Sequence, residues 1–166
     1  MIFKRTIKIL LPGLILGAVI LSSCIQENDP DQSGPVIPGG KLTINEGYYT
    51  AEGASFDNHG WKEFLTVYID HNRIVTVEYD AKNSSGFLKS WDMEYMREMK
   101  AVKSNYPTRY TRTYATALLN RQDPAKIDVL TGATNSYKSF KLLAEAVIEQ
   151  AKAGDRKVAQ VELPEN

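Results

Sequence analysis

The sequence is poor in the residues that build covalent and metal-held frameworks. Its one cysteine, Cys24, excludes an intrachain disulfide. It equally excludes the paired-cysteine spacings of zinc ribbons, iron–sulfur clusters, thioredoxin-like sites and attached haem. Only two histidines occur, His59 and His71, with no His-rich neighbourhood, so no metal site is expected. Lys and Arg together number 20, as do Asp and Glu, and without a basic excess nothing invites nucleic acid. Long hydrophobic runs are missing too. The longest, residues 9–21, is interrupted by Pro12 and Gly13 and falls short of the ~20 residues that span a bilayer as a helix. The 166 residues leave room for one ordinary domain with a tail.

What is present at the start has a direction. Lys4, Arg5 and Lys8 precede the apolar run, no acid accompanies them, and Leu21-Ser22-Ser23-Cys24 closes it. A basic start, a short apolar stretch and small residues at the exit describe a secretory signal peptide. The Leu-Ser-Ser-Cys exit resembles a bacterial lipobox, which implies cleavage after residue 23 and a lipid on Cys24. Loss of residues 1–23 removes three basic residues and leaves the mature chain at −3. Residues 25–40 hold three prolines and three glycines with few large apolar side chains, so they read as a flexible tether. The expected layout is a signal peptide over 1–23, a lipid-anchored tether over 24–40, a domain over 41–154 and a tail over 155–166. The site of action is the cell membrane or outer membrane, facing away from the cytoplasm.

Within the domain the hydrophobic period changes once. Gly47 to Glu52 reads as a short strand. Lys62 to Asp70 alternates, with Leu65, Val67 and Ile69 on one face, and Arg73 to Tyr79 repeats the pattern with Val75, Val77 and Tyr79. Only His71-Asn72 lies at the turn between them, which predicts a tight antiparallel hairpin. Helical spacing follows over Lys89–Lys103, Thr108–Gln122 and Ser136–Ala153, the last bearing Phe140, Leu143, Ala144, Val147, Ile148 and Ala151 on one stripe and stopped by Gly154. Strands first and helices later predict an α+β fold, an antiparallel sheet packed by about three helices.

Immediately before the last helix stands Asp128-Val129-Leu130-Thr131-Gly132-Ala133-Thr134-Asn135-Ser136. Small side chains and a glycine expose backbone amides, and a helix N-terminus adds unsatisfied N–H groups with the positive end of a dipole. The segment lacks the lysine and second glycine of a Walker loop and the glycine pattern of a Rossmann turn. Physically it is either an anion site with hydroxyls beside it or a plain helix start, capped by Thr134, Asn135 or Ser136. Glu63, Glu78 and Asp80 form no acid–base pair at a readable spacing, and Ser84-Ser85 has no histidine assigned to it.

Asp128-x-x-Thr131-Gly132-Ala133-Thr134 resembles the flavinylation motif of the FMN-binding domain family, which includes extracytoplasmic subunits of the sodium-pumping NADH:quinone oxidoreductase and of the Rnf complex. The element order over about residues 42–153 is also similar to that family. It departs in the loop after the hairpin, where many members carry a Thr-Pro-Gly-like turn and this chain has Ser84-Ser85-Gly86. The resemblance implies FMN esterified through its phosphate to Thr134 by a flavin transferase, with Asp128, Thr131, Gly132 and Ala133 as the recognised signature. It further implies an apolar wall for the flavin ring, for which Tyr48, Trp61, Gly86-Phe87 and Trp91 are candidates, with Lys82 and Lys89 near enough in sequence to offset negative charge. The function so implied is a lipid-anchored electron carrier served by redox partner proteins or quinone-linked donors, rather than a stand-alone enzyme. The other reading is a non-catalytic envelope lipoprotein that binds a ligand or partner without covalent flavin.

Overall fold

The computed structural model describes residues 44–164 apart from Ser104. The expected signal peptide, Cys24 and the tether over 24–40 lie outside the described residues.

Strand β1, Gly47–Gly53, pairs antiparallel with β2, Lys62–Asp70, which pairs antiparallel with β3, Arg73–Lys82. The β2–β3 hairpin turns on His71 and Asn72, at φ 47° and 61°. Two successive left-handed residues make the turn whose twist matches that of paired strands. Leu65, Val67 and Ile69 form one buried row, as their alternation requires. The companion row on β3 departs from strict alternation. A register shift beside Tyr68 and Ile69 pairs Tyr68 with Thr76 and Ile69 with Ile74, so Val75 is the extra residue of a β-bulge. Val75 turns to solvent and Ile74 takes its place in the core.

The helical half begins with a 3-10 turn, Lys89–Trp91, and continues as α1, Met93–Lys103, α2, Pro107–Arg121, and α3, Thr134–Ala153. The first expected helix is thus split at Asp92, whose side chain accepts the Tyr95 N–H at 3.0 Å. Helix α2 opens on Pro107, at the position where a missing N–H costs nothing. Helices α2 and α3 lie on one face of the sheet, and Tyr49, Leu65, Tyr114, Phe140, Leu143 and Val147 fill the space between.

The sheet order is β3-β2-β1-β4, where β4, Ala159–Val161, runs parallel to β1. The architecture is therefore α+β with a mixed sheet. Its one parallel pair comes from residues expected as a tail. At the other end of α3, Gly154 takes the left-handed conformation that closes a helix. Asn45, just before β1, donates from both its backbone and side-chain N–H to the Ala151 carbonyl. The chain thus enters the sheet beside the C-terminal end of α3.

Candidate functional site

The segment before α3 is held from three sides. The Tyr114 hydroxyl accepts the Leu130 N–H at 3.0 Å and lies 3.2 Å from the Ala133 carbonyl, to which it donates. Asn105, fully buried, donates to the Thr131 carbonyl at 3.1 Å. Tyr137 donates to the Ile127 carbonyl at 2.8 Å. Between these pins the Ala133 N–H bonds back to the Leu130 carbonyl at 3.0 Å. Gly132, third residue of that turn, sits at φ 79°, where an L side chain would be strained. The backbone is fixed while the side chains of Asp128, Thr131 and Thr134 stay exposed.

Helix α3 starts at Thr134 with Ala133 as its N-cap, and no side chain caps it. Thr134, Asn135 and Ser136 are therefore the first helical residues and not caps, and their N–H groups precede the first helical bond, Tyr137 N–H to the Ala133 carbonyl. These three residues, with Gly132 and Ala133, form one side of a cleft of about 280 Å³. The rest of the lining comes from residues of other elements, of which the sequence had offered only Lys89 as a candidate. They are Asp57 and His59 of the β1–β2 loop, Lys89 of the 3-10 turn, Tyr95 and Met99 of α1, and Tyr110 of α2.

Lys89 is the decisive member of the lining. Lysines are rarely fully buried, yet Lys89 is 5% exposed. Its Nζ lies 4.9 Å from the Tyr95 ring centre, 5.7 Å from that of Trp61 and 4.0 Å from Asp57 Oδ2. Burial lowers its pKa, while Glu63, Asp57 and Asp80 act against that shift. Asp57 is fixed in turn, since its other carboxylate oxygen accepts the His59 and Trp61 N–H groups at 2.9 and 2.8 Å. The cleft therefore joins an uncapped helix start to a buried ammonium, with aromatic and thioether surface beside them. That combination suits an anion attached to an apolar body.

Beneath the cleft lies a buried acid. Glu63 faces the core from β2, and burial raises its pKa to about 7 against the lowering effects of the Tyr79 hydrogen bond and the Lys89 charge. Tyr79 is pushed well above the usual phenol range, by burial first and then by the Glu63 charge.

The remaining sequence candidates fall elsewhere. Trp61 is buried behind Lys89 and is not in the cleft lining. Trp91, 63% exposed, and Phe87 lie outside the lining. Gly86, at φ 83°, belongs to a turn organised by Asn83, whose carboxamide oxygen accepts the Ser85 and Phe87 N–H groups at 3.0 Å each. Tyr48 stacks on Tyr68, ring centres 4.6 Å apart. Lys82 is engaged by Glu52 at 2.9 Å.

No protein-family model matches the chain. A relative does. The 15 kDa lipoprotein of Treponema pallidum (strain Nichols) is 40% identical over 114 residues, which cover 69% of this chain and 81% of the relative. The chain belongs to the family of that lipoprotein. The crystal structure of the CPE2226 protein from Clostridium perfringens superposes with a TM-score of 0.70 at 33% identity, over 74% of this chain and all of that one. Among the described residues, no helix is long and apolar enough to cross a membrane.

Proposed function

We propose that this lipoprotein-family member is a lipid-anchored envelope protein that carries electrons through FMN esterified to Thr134. Membership of a lipoprotein family supports the anchor, and the Leu21-Ser22-Ser23-Cys24 exit names Cys24 as its site. The observation that carries the flavin reading is the junction of an uncapped α3 start, an exposed Thr134 and a buried Lys89 in one cleft.

The residues present fit the group. The N–H groups of Thr134, Asn135 and Ser136 would receive the phosphate, with the helix dipole favouring its charge. Tyr95, Met99 and Tyr110 offer apolar surface to a ring system. A cleft of about 280 Å³ is slightly smaller than the roughly 300 to 1,000 Å³ of most ligand sites. A flavin held there would stay partly open to solvent, within reach of a redox partner. Bound FMN supplies reversible uptake of electrons, chemistry that no side chain of the protein offers.

In maturation, Thr134 Oγ1 would bond to the flavin-side phosphorus of FAD as the P–O–P bridge breaks, with AMP as the leaving group and the hydroxyl proton lost to solvent. Asp128 and Thr131 are exposed on the pinned segment, outside the cleft lining, and so are free to be gripped by the transferase. Coexpressed with a flavin transferase and exported, the protein should gain the mass of one FMN less one water. Thr134→Ala should gain nothing, and Thr134→Ser should keep some modification. No flavin on the wild type beside an active transferase would leave a binding lipoprotein as the reading.

A further inference from the structure

The Tyr79 hydroxyl lies 2.9 Å from Glu63 Oε2 and 2.9 Å from the Ser136 carbonyl oxygen. A phenol has one proton to donate. With Glu63 ionised, the two acceptors compete for that one proton. With Glu63 protonated, the acid donates to Tyr79, Tyr79 donates to Ser136, and the chain is complete. Ser136 is the third residue of α3 and lines the cleft, so the chain runs from the buried acid to the wall of the site.

Charged and polar groups face Glu63 from every side. Tyr79 approaches from β3, Lys89 from the 3-10 turn and Asp57 from the β1–β2 loop. Tyr110 of α2 feels the Glu63 charge, and its own hydroxyl bonds the Ser136 side chain. Ser139 of α3 turns a buried hydroxyl toward the carboxyl without closing a hydrogen bond of regular geometry. Lys89 is the one cation of this set, and it lies in the cleft itself. Any negative charge entering the cleft offsets Lys89 and so removes what favours the Glu63 carboxylate.

We propose that Glu63, in contact with Tyr79, is a charge-compensating proton site: it takes one proton from solvent when the cleft gains negative charge. This rests on the flavin reading for the source of that charge. An electron delivered by a redox partner to the attached cofactor is matched by one proton that converts the Glu63 carboxylate to the acid, and the net charge of the buried cluster is unchanged. Release of the electron returns the proton to solvent. Glu63 touches neither cofactor nor reacting atoms in this scheme and acts as a positioning residue for charge.

The test follows the Glu63 carboxyl directly, by 13C NMR of the full-length protein in detergent with glutamate labelled at the carboxyl carbon. One resonance should titrate near neutrality and vanish in Glu63→Gln. Lys89→Met, which removes the cleft cation, should raise its midpoint by roughly 1 pH unit. The flavin-loaded protein should show a higher midpoint than the unloaded Thr134→Ala, and chemical reduction should raise it further. A Glu63 that titrates in the ordinary carboxylate range, or whose midpoint ignores either Lys89→Met or loading, overturns the inference. The two readings fail separately. If flavin attaches and the midpoint stays still, only the proton site falls; if flavin never attaches, the Lys89→Met comparison still decides it.

Discussion

The side chain of Gln122 pairs with the backbone of Ile74 as a strand residue would: it accepts the Ile74 N–H and donates to the Ile74 carbonyl, each at 2.8 Å. Ile74 sits on β3, an edge strand of the sheet, beside the bulge that turns Val75 outward. Gln122 stands at the left-handed end of α2. One carboxamide therefore covers an exposed strand edge and fixes α2 to the sheet. The same helix brings Tyr110 to the cleft and Tyr114 to the segment before α3. Gln122→Leu should cost about 1–3 kcal/mol in urea unfolding, because both Ile74 groups lose their partner. A loss below the error of the measurement would mean that water replaces the carboxamide freely.

Flavin loading should depend on the pinned backbone as well as on Thr134. Tyr114→Phe deletes the oxygen that meets Leu130 and Ala133. Stability should fall by about 1–3 kcal/mol, and mass spectrometry should show slower FMN attachment than in the wild type at a temperature where both are folded. Equal rates would show that the transferase tolerates a loosened segment.

The pH dependence of stability should carry a mark of Glu63. Its native pKa of about 7 lies above the ordinary carboxyl value of 4.5, so the folded protein keeps a proton that the unfolded chain has released. Stability from this group therefore falls as pH rises from about 4.5 through 7, then levels off, by up to about 3 kcal/mol in all. Glu63→Gln should match the wild type in thermal unfolding at pH 5 and exceed it at pH 8. Glu52 works in the opposite sense. The hydrogen bond from Lys82, followed by that from Lys62, holds its pKa down to about 2, so its contribution is present above pH 4.5 and lost on acidification toward 2.

Helix α3 offers a contrast between its faces. Leu143 is fully buried, and Leu143→Ala should cost about 2–5 kcal/mol through lost burial and the cavity left behind. Glu149 is exposed and pairs with Lys152 on the same surface. Glu149→Ala should change stability by no more than about 0.5 kcal/mol. Similar losses at both positions would place the wrong face against the sheet.

Membrane attachment should depend on Cys24 alone among the thiols, since no other cysteine exists. Cys24→Ser should leave the precursor uncleaved or release the protein from the membrane fraction. Normal cleavage with continued membrane partition would rule out the lipid anchor.

Much of the fold was legible because burial imposes a period on the chain. The alternation through Leu65, Val67 and Ile69 and the stripe from Phe140 to Ala151 both follow directly from one-sided packing. The bulge at Val75 was not legible, since a valine in an alternating run carries no sign that a register slip will turn it outward. Strand β4 was hidden for another reason: three residues hold no period. Within the site, Gly132, Ala133 and Thr134 stand contiguous in sequence and could be read as a unit. Lys89, Asp57 and Tyr110 come from three separate elements, and only the fold brings them together. Lys89 could be named as a cation near the site, but its burial could not be read, because a lysine next to polar residues reads as solvated until tertiary packing encloses it.

The chain joins its sheet beside one end of α3, where Asn45 grips the last turn, and the cleft lies at the other. Twenty residues of helix at about 1.5 Å each separate these poles by about 30 Å. That exceeds the roughly 8 Å over which charge is felt at physiological ionic strength by more than threefold. Helix α3 thus puts the entry of the chain into the sheet and the cleft at opposite ends of one rod. A charge introduced beside Asn45 is therefore screened from the cleft, and a substitution there should leave the electrostatics around Lys89 and Glu63 unaltered.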